Sequence, residues 1–480
     1  MHMELRRGGG KPLPRQISET LAQRITSGLL APGTQLPSVR RLAAELAVSQ
    51  VTVSKAYEEL EKRGLLDCRQ GKGCYVANRQ LRTPDEGKSW ADEYGDYLPR
   101  AQLWHNFDSS AVHYSFHVAA IHSSLLPLAP VGAAMAKLVQ EQPELMAEYG
   151  NFQGDLDLRE VMGRHLQVRG MQVTSRDILI TSGAQQGIDL VARTFIGPGD
   201  AVYMEAPGYT GAIDVFAGRG AEIIPVPVDE EGMRVDILTR LCDRRPPKLI
   251  YTNPSFQNPS GVTMSMRKRQ RLLELARSYR CLIVEDDPFS DLYFHKPPPP
   301  AIKSLDGSGH VVYLKSFSKV LAPGSRIACV AAESGILSRL IAAKSSSDLG
   351  SPLLTQKAVL PFIRDEYEPH ARMLRSALQR RRDKAIRLLR AYAPSGVTWN
   401  TPDGGLNLWL KLPPAADVIR LHGEAEASGI SFLHGEVCYA GEAPPGHIRI
   451  CYAQMWEDEM AEGLRLFLVL LAKHLRSAAE

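Results

Sequence analysis

Six short apolar runs, each followed by small or polar residues, constrain this chain more than anything else in it. They are "DILITS" (177–182), "AVYMEA" (201–206), "KLIYTN" (248–253), "CLIVED" (281–286), "VVYLKS" (311–316) and "IACVAA" (327–332). Helical stretches separate several of them. Runs this short and this apolar predict strands buried on both faces, hence an α/β unit with a mostly parallel sheet. Ligands in such sheets gather at the carboxyl ends of strands, so the residues after each run are the candidate site. The chain contains neither GxGxxG nor GxxxxGK[ST], which leaves dinucleotide and P-loop sites without support.

The strand ends carry a coherent set. "SGAQQG" follows the first run and opens a helix, where free N–H groups suit a phosphate. "PGYTGA" offers Tyr209 as an aromatic plate, and "PSFQNPSG" offers Asn258 in a turn. "DPFSDLYF" follows the fourth run, which ends on Asp286, and "FSKVLAPGSR" brings Lys319 and Arg326. Singly, each has an ordinary reading: a surface lysine, a turn-capping aspartate, a core tyrosine. Together they suit pyridoxal phosphate. Its aldehyde needs an amine for a Schiff base, and its ring nitrogen needs a carboxylate to keep a proton.

The stretch from "EYGNFQGDLDLRE" (148–160) to "GHIRICYA" (446–453) resembles fold-type I aminotransferases, in the branch that contains kynurenine and aminoadipate aminotransferases. The motifs "TSGAQQG", "APGY", "NPSG", "EDDP", "SFSKVLAPGSR", "PDGGLNLW" and "IRICYA" stand in that family's order. The resemblance makes Lys319 the Schiff-base lysine. It implies that Asp286 pairs with the ring nitrogen, Asn258 donates to the ring hydroxyl, and Tyr209 stacks on the ring. The phosphate falls to Ala184, Gln185, Ser316, Ser318 and Arg326. Tyr149 would reach the phosphate of a partner subunit, and Arg449 would bind an α-carboxylate through a bidentate pair. One departure stands out: Phe289 occupies a position where this branch has tyrosine, so a donor to the ring oxygen is missing.

The first 80 residues differ in kind. They hold 13 Lys+Arg against 7 Asp+Glu, a balance of +6, in a chain whose net charge is +4. That asymmetry points to a polyanion, although a solvated basic face would look the same. Pattern decides between them. "ISETLAQRITSGLL" (17–30) carries apolar residues at Ile17, Leu21, Ile25 and Leu29, one helical stripe. "SVRRLAAELAVS" (38–49) predicts a second helix with Ser38 as N-cap. A third follows, with Val53, Ala56, Tyr57 and Leu60 on one face and Gly64 at its end. "LDCRQGKGCYV" (66–76) reads as a hairpin. Three helices and a basic hairpin make a winged helix-turn-helix plan, with the third helix suited to a major groove.

"PGTQLPSVRRLAAELAVSQVTVSKAYEELEKRGLL" and "GKGCYV" resemble the GntR family. That resemblance implies DNA contacts at Arg40, Ser49, Gln50, Val51, Ser54 and the wing Lys72. Lys55 joins them from the helix face. Gln50 stands where many members have arginine, which shifts the preference from guanine towards adenine edges. Val51 suits either a thymine methyl or a partly buried place.

A winged helix (10–78), a polar connector (79–112) without sustained period, and an aminotransferase-like unit (113–478) in this order resemble the MocR subfamily of bacterial regulators. The resemblance implies a homodimer on double-stranded DNA, with pyridoxal phosphate, or its external aldimine with an amino compound, as the sensed species. The alternative is a working aminotransferase that exchanges an amino group between an amino acid and a 2-oxo acid. Seven cysteines without a CxxC pair argue for a reducing compartment, the cytoplasm, and against disulfides or a zinc site. The apolar run "LFLVLLA" (466–472) is too short to span a bilayer.

Overall fold

The computed structural model describes residues 12–26, 34–69, 73–77 and 112–477. Lys72 and residues 79–111 of the expected connector lie outside the described residues. The chain divides into two compact units between Gly95 and Asp96.

The first unit is built from α1 (Leu13–Thr26), α2 (Val39–Glu45), α3 (Gln50–Lys62) and a hairpin of β1 (Leu66–Arg69) and β2 (Gly73–Val76). The first helix begins four residues before its expected start, and residues 27–33 lie outside the described set. Ser38 and Ser49 cap α2 and α3, each accepting from a backbone N–H three residues on. Of the stripe predicted on the first helix, Ile17 and Leu21 are fully buried, Ile25 is half-buried and Leu29 lies outside the described residues; Leu42, Val53 and Leu60 join the core at full burial. Each such side chain contributes about 1.5–3 kcal/mol through burial. Tyr57 donates to Pro37 O at 2.8 Å and Ser18 to Glu59 at 2.9 Å, which ties α3 to the turn before α2 and to α1.

The hairpin overturns one expectation. Its register sets Cys68 opposite Cys74, with Cα atoms 4.0 Å apart, and the two are joined as a disulfide. Cross-strand pairing explains why spacing concealed it. Residues six apart in sequence become direct neighbours once the chain doubles back.

In the second unit a short β3 (Tyr114–Ser115) precedes a large sheet of eight strands. These are β4 (Ile178–Thr181), β5 (Ala201–Ala206), β6 (Glu222–Asp229), β7 (Gly232–Met233), β8 (Leu249–Thr252), β9 (Leu282–Asp287), β10 (Val311–Ser316) and β11 (Ala328–Ala331). Their order is β4-β11-β10-β9-β8-β5-β6-β7. The five neighbours from β10 to β6 run parallel, while β11 and β7 run antiparallel. All six predicted strands are present. β6 and β7 escaped the reading because "EIIPVPVD" carries two prolines and only one fully buried position.

A second, antiparallel sheet holds β12 (Thr398–Trp399), β13 (Asn407–Lys411), β15 (Leu433–His434) and β16 (His447–Cys451) in the order β12-β13-β16-β15. Between them in sequence, β14 (Ile430–Ser431) pairs in parallel with β3. The chain just after the connector region is thus fastened to residues more than 300 positions later. Among the described residues no helix is long and apolar enough to cross a membrane.

Candidate cofactor site

A cavity of about 450 Å³ opens at the carboxyl ends of β4, β5, β8, β9 and β10. Its walls include Ala184, Gln185, Tyr209, Asn258, Asp286, Ser316, Ser318, Lys319, Arg326 and Arg449. Ten of the eleven side chains expected at the cofactor and effector site therefore meet in one place. Tyr149 does not line it and stands 85% exposed.

Asp286 is the last but one residue of β9 and is buried. Its Oδ2 accepts from Tyr251 at 2.6 Å, while Oδ1 is buried without a partner. Burial raises its pKa to about 7, against the pull of the Tyr251 hydrogen bond. Strand alternation sends the next residue, Asp287, to the opposite face, where Lys315 meets it at 3.2 Å. Lys319 Nζ donates to Ala119 O at 2.6 Å. Burial first, then the nearby Arg449 and Arg326, lower its pKa to about 8.

Tyr209 donates to Gln185 Oε1 at 3.0 Å, and burial lifts its hydroxyl to about 12. Gln185 in turn donates to Gly211 O at 2.8 Å. A Cβ on Gly211 would stand 2.8 Å from both side chains, so glycine is required for this approach. The helix Ala184–Phe195 begins at Gly183 (φ 88°) without a side-chain cap. Its first-turn N–H groups face the cavity with a positive helix end behind them. Arg326 packs over Gly183 and donates to Ser182 O at 3.0 Å. Arg326 itself adopts a left-handed φ of 49°, a strained geometry for a residue other than glycine.

Arg449, on β16, donates through Nη1 to Asn258 Oδ1 at 3.0 Å and through Nη2 to His117 O. With its oxygen engaged, the Asn258 side chain has its amide N–H groups to offer. Phe289 is 1% exposed and lines the same cavity, which leaves that wall without a hydroxyl. Sequence reasoning missed Tyr251, His117 and Ala119. Tyr251 was hidden inside an apolar strand run, and residues 117 and 119 arrive from the far end of the unit with no motif to mark them.

In the first unit, Arg40, Gln50, Val51 and Lys55 are exposed, with Val51 at 63%. Ser54 is half-buried and donates to Glu58 at 3.1 Å. Ser49 is exposed, but its hydroxyl already serves as the cap of α3. At that exposure Val51 does not take the partly buried place that its spacing allowed.

Residues 123–467 match the family "Aminotransferase class I and II", and residues 13–76 match "Bacterial regulatory proteins, gntR family". The chain belongs to the MocR-type group of GntR-family proteins. An uncharacterized HTH-type transcriptional regulator of Bacillus subtilis, YdfD, is 31% identical over 97% of this chain and 98% of its own length. The probable rhizopine catabolism regulatory protein MocR of Rhizobium meliloti is 28% identical over 96% of this chain and 94% of its own. Among solved structures, Pyrococcus horikoshii kynurenine aminotransferase, in complex with PMP and substrates, superposes with a TM-score of 0.75. It is 31% identical and covers 81% of this MocR-type chain and 97% of its own. Thermus thermophilus α-aminoadipate aminotransferase, carrying a phosphopyridoxyl-leucine, also scores 0.75 at 29% identity, covering 81% of this chain and all of its own. The second unit has the fold of these pyridoxal-phosphate-dependent proteins.

Proposed function

We propose that this protein is a transcription regulator whose first unit binds operator DNA and whose second unit senses pyridoxal phosphate, alone or with an amino compound. The observation that carries the reading is the unpartnered Oδ1 of Asp286, buried in the same cavity as the depressed amine of Lys319. A buried acceptor without a donor is costly. A protonated ring nitrogen is the donor it lacks, and a half-buried lysine with an accessible neutral form is the amine an aldehyde needs.

In this reading Lys319 anchors the cofactor, Asp286 holds the ring nitrogen's proton, Asn258 donates to the ring oxygen and Tyr209 covers the ring face. Ala184, Gln185, Ser316, Ser318 and Arg326 take the phosphate at the helix N-terminus. Arg449 receives the carboxylate of an amino compound. When bound, the cofactor supplies an aldehyde for the amine and an electron sink. The exposed Tyr149 serves the site of a second copy, which makes the assembly a homodimer with two DNA-binding heads and paired half-sites. Arg40, Ser49, Gln50, Val51, Ser54, Lys55 and Lys72 meet the DNA, and the protein works in the cytoplasm.

A second reading, an active aminotransferase, has Lys319, Asp286, Asn258 and Arg449 in its favour. Phe289 weighs against efficient turnover. The test is a mobility shift on DNA upstream of the protein's own gene, titrated with pyridoxal phosphate, for wild type and Lys319→Ala. A shift that responds to the cofactor only in wild type supports the regulator. No DNA binding in any state, alongside steady transamination at enzyme-like rates, would overturn it.

A further inference from the structure

Residues 117–119 carry no motif, yet their backbone meets both cations around which the cavity is built. Lys319 Nζ donates to Ala119 O at 2.6 Å, and Arg449 donates to His117 O. On either side the chain is pinned. Phe116 is fully buried; its N–H reaches Ser431 O and its carbonyl accepts from Cys451 N, each at 2.9 Å. Ile121 is 4% exposed, and His122 N–H reaches Ala453 O at 2.9 Å. Between these anchors Val118 is 37% exposed, so the middle can shift without uncovering the core.

Both donors are groups that a ligand would claim. Condensation of the Lys319 amine with an aldehyde forms a C=N bond and breaks the aldehyde C=O. The oxygen leaves as water with two hydrogens from the amine, so the nitrogen keeps one proton at most. Ala119 O then loses the donor that holds it. A carboxylate on Arg449 competes in the same way for the hydrogen bond to His117 O.

We propose that residues 117–119 form a strap that holds Lys319 and Arg449 and is released at Ala119 when the cofactor takes Lys319. This rests on the reading of Lys319 as the cofactor's lysine. The strap lies five residues after the stretch that joins the two units in sequence. Cofactor loading therefore loosens a segment that follows the first strand of the second unit, close in sequence to the connector. The coupling is thermodynamic: a ligand that frees the strap is bound more weakly by whatever the strap's hold was worth, and the strap responds by the same factor.

Hydrogen exchange read by mass spectrometry on the full-length protein tests this, with the visible absorbance of bound pyridoxal phosphate recorded on the same samples. The amide of Ala120 donates to Val118 O within the strap at 2.9 Å, while that of His122 belongs to the anchor. Exchange at Ala120 is expected to quicken roughly tenfold on loading, the size of one charge-assisted hydrogen bond lost, and exchange at His122 to stay as it was. Lys319→Ala should exchange fast from the outset and ignore the cofactor, with its circular dichroism checking that it folds. The wild-type comparison stands without any variant. Loaded protein with unchanged or slower exchange at Ala120 overturns the strap and leaves the cofactor reading intact. Failure to bind the cofactor at all overturns both.

Discussion

The two units expose their chemistry in opposite ways. On the head, Arg40, Gln50, Val51 and Lys55 stand in solvent on a small scaffold whose core, among the described residues, is twelve buried apolar residues. In the second unit Asp286 is buried and Lys319 half-buried, and the loss of solvent moves their ionisation towards neutrality. A surface reader depends on the stability of its scaffold and adds its contacts one by one. A buried site depends on desolvation, so each group's behaviour is set by its neighbours. Substitutions in one unit should therefore leave the other's folding and its own intrinsic binding unchanged, whatever they do to the response of one to the other, and each prediction below tests that separation.

The largest effect is expected from Leu60→Ala. Leu60 is fully buried in the head's core, and truncation of such a leucine costs about 2–5 kcal/mol. A unit this small has little stability to spare. Calorimetry should show the head melting early or absent, operator binding lost, and the bound cofactor's absorbance unchanged. Loss of the absorbance as well would show that the two units do not fold independently.

Next comes Asp286→Ala. It removes a charge-assisted partner from the ring nitrogen, a loss of about 1.5–3 kcal/mol, or roughly tenfold to a hundredfold in cofactor dissociation constant. Equilibrium titration by absorbance reads it directly. Binding of the head to non-specific DNA should not change, and a change there would break the separation from the other side.

Gln50→Ala should act more narrowly. A side chain that reads one base pair is worth about 1–3 kcal/mol of discrimination. Affinities for operators substituted one position at a time should flatten at a single base pair, while the dependence on salt stays the same. A uniform loss across all sequences would reassign Gln50 from reading bases to holding phosphates.

Legibility followed the same division. The head's core was legible because helical spacing places Val53, Ala56, Tyr57 and Leu60 on one face, and all four are buried. The six buried strands and the residues after them were legible because each run is continuous and apolar. What stayed hidden depends on contacts between distant segments. The Cys68–Cys74 pair needs the hairpin register. Tyr251 reaches Asp286 only across two neighbouring strands, and Ala119 reaches Lys319 from 200 positions away. β6 was concealed by its prolines, which an edge position tolerates because its outer neighbour pairs over only two residues.

The smallest effect, and the most diagnostic, is the pH dependence of cofactor loading. The neutral amine is the nucleophile, so the loading rate should follow the fraction of Lys319 that has lost its proton. Burial and the neighbouring arginines lower that pKa to about 8. The rate should rise about tenfold per unit of pH while the amine is mostly charged, then level off above about 8. Asp286, raised to about 7, adds in the same direction, because the carboxylate that attracts a protonated ring nitrogen is also the deprotonated form. An exposed lysine behaves differently: its amine stays charged to about pH 10.4, and the climb continues without a plateau until then. Stopped-flow absorbance across pH 6 to 10 separates the two. A plateau near 8 marks a lysine whose reactivity is made by its burial. A rate still climbing at pH 9.5 would mean that Lys319 is solvated like the lysines on the head, and the contrast between a surface reader and a buried sensor would fail at its central residue.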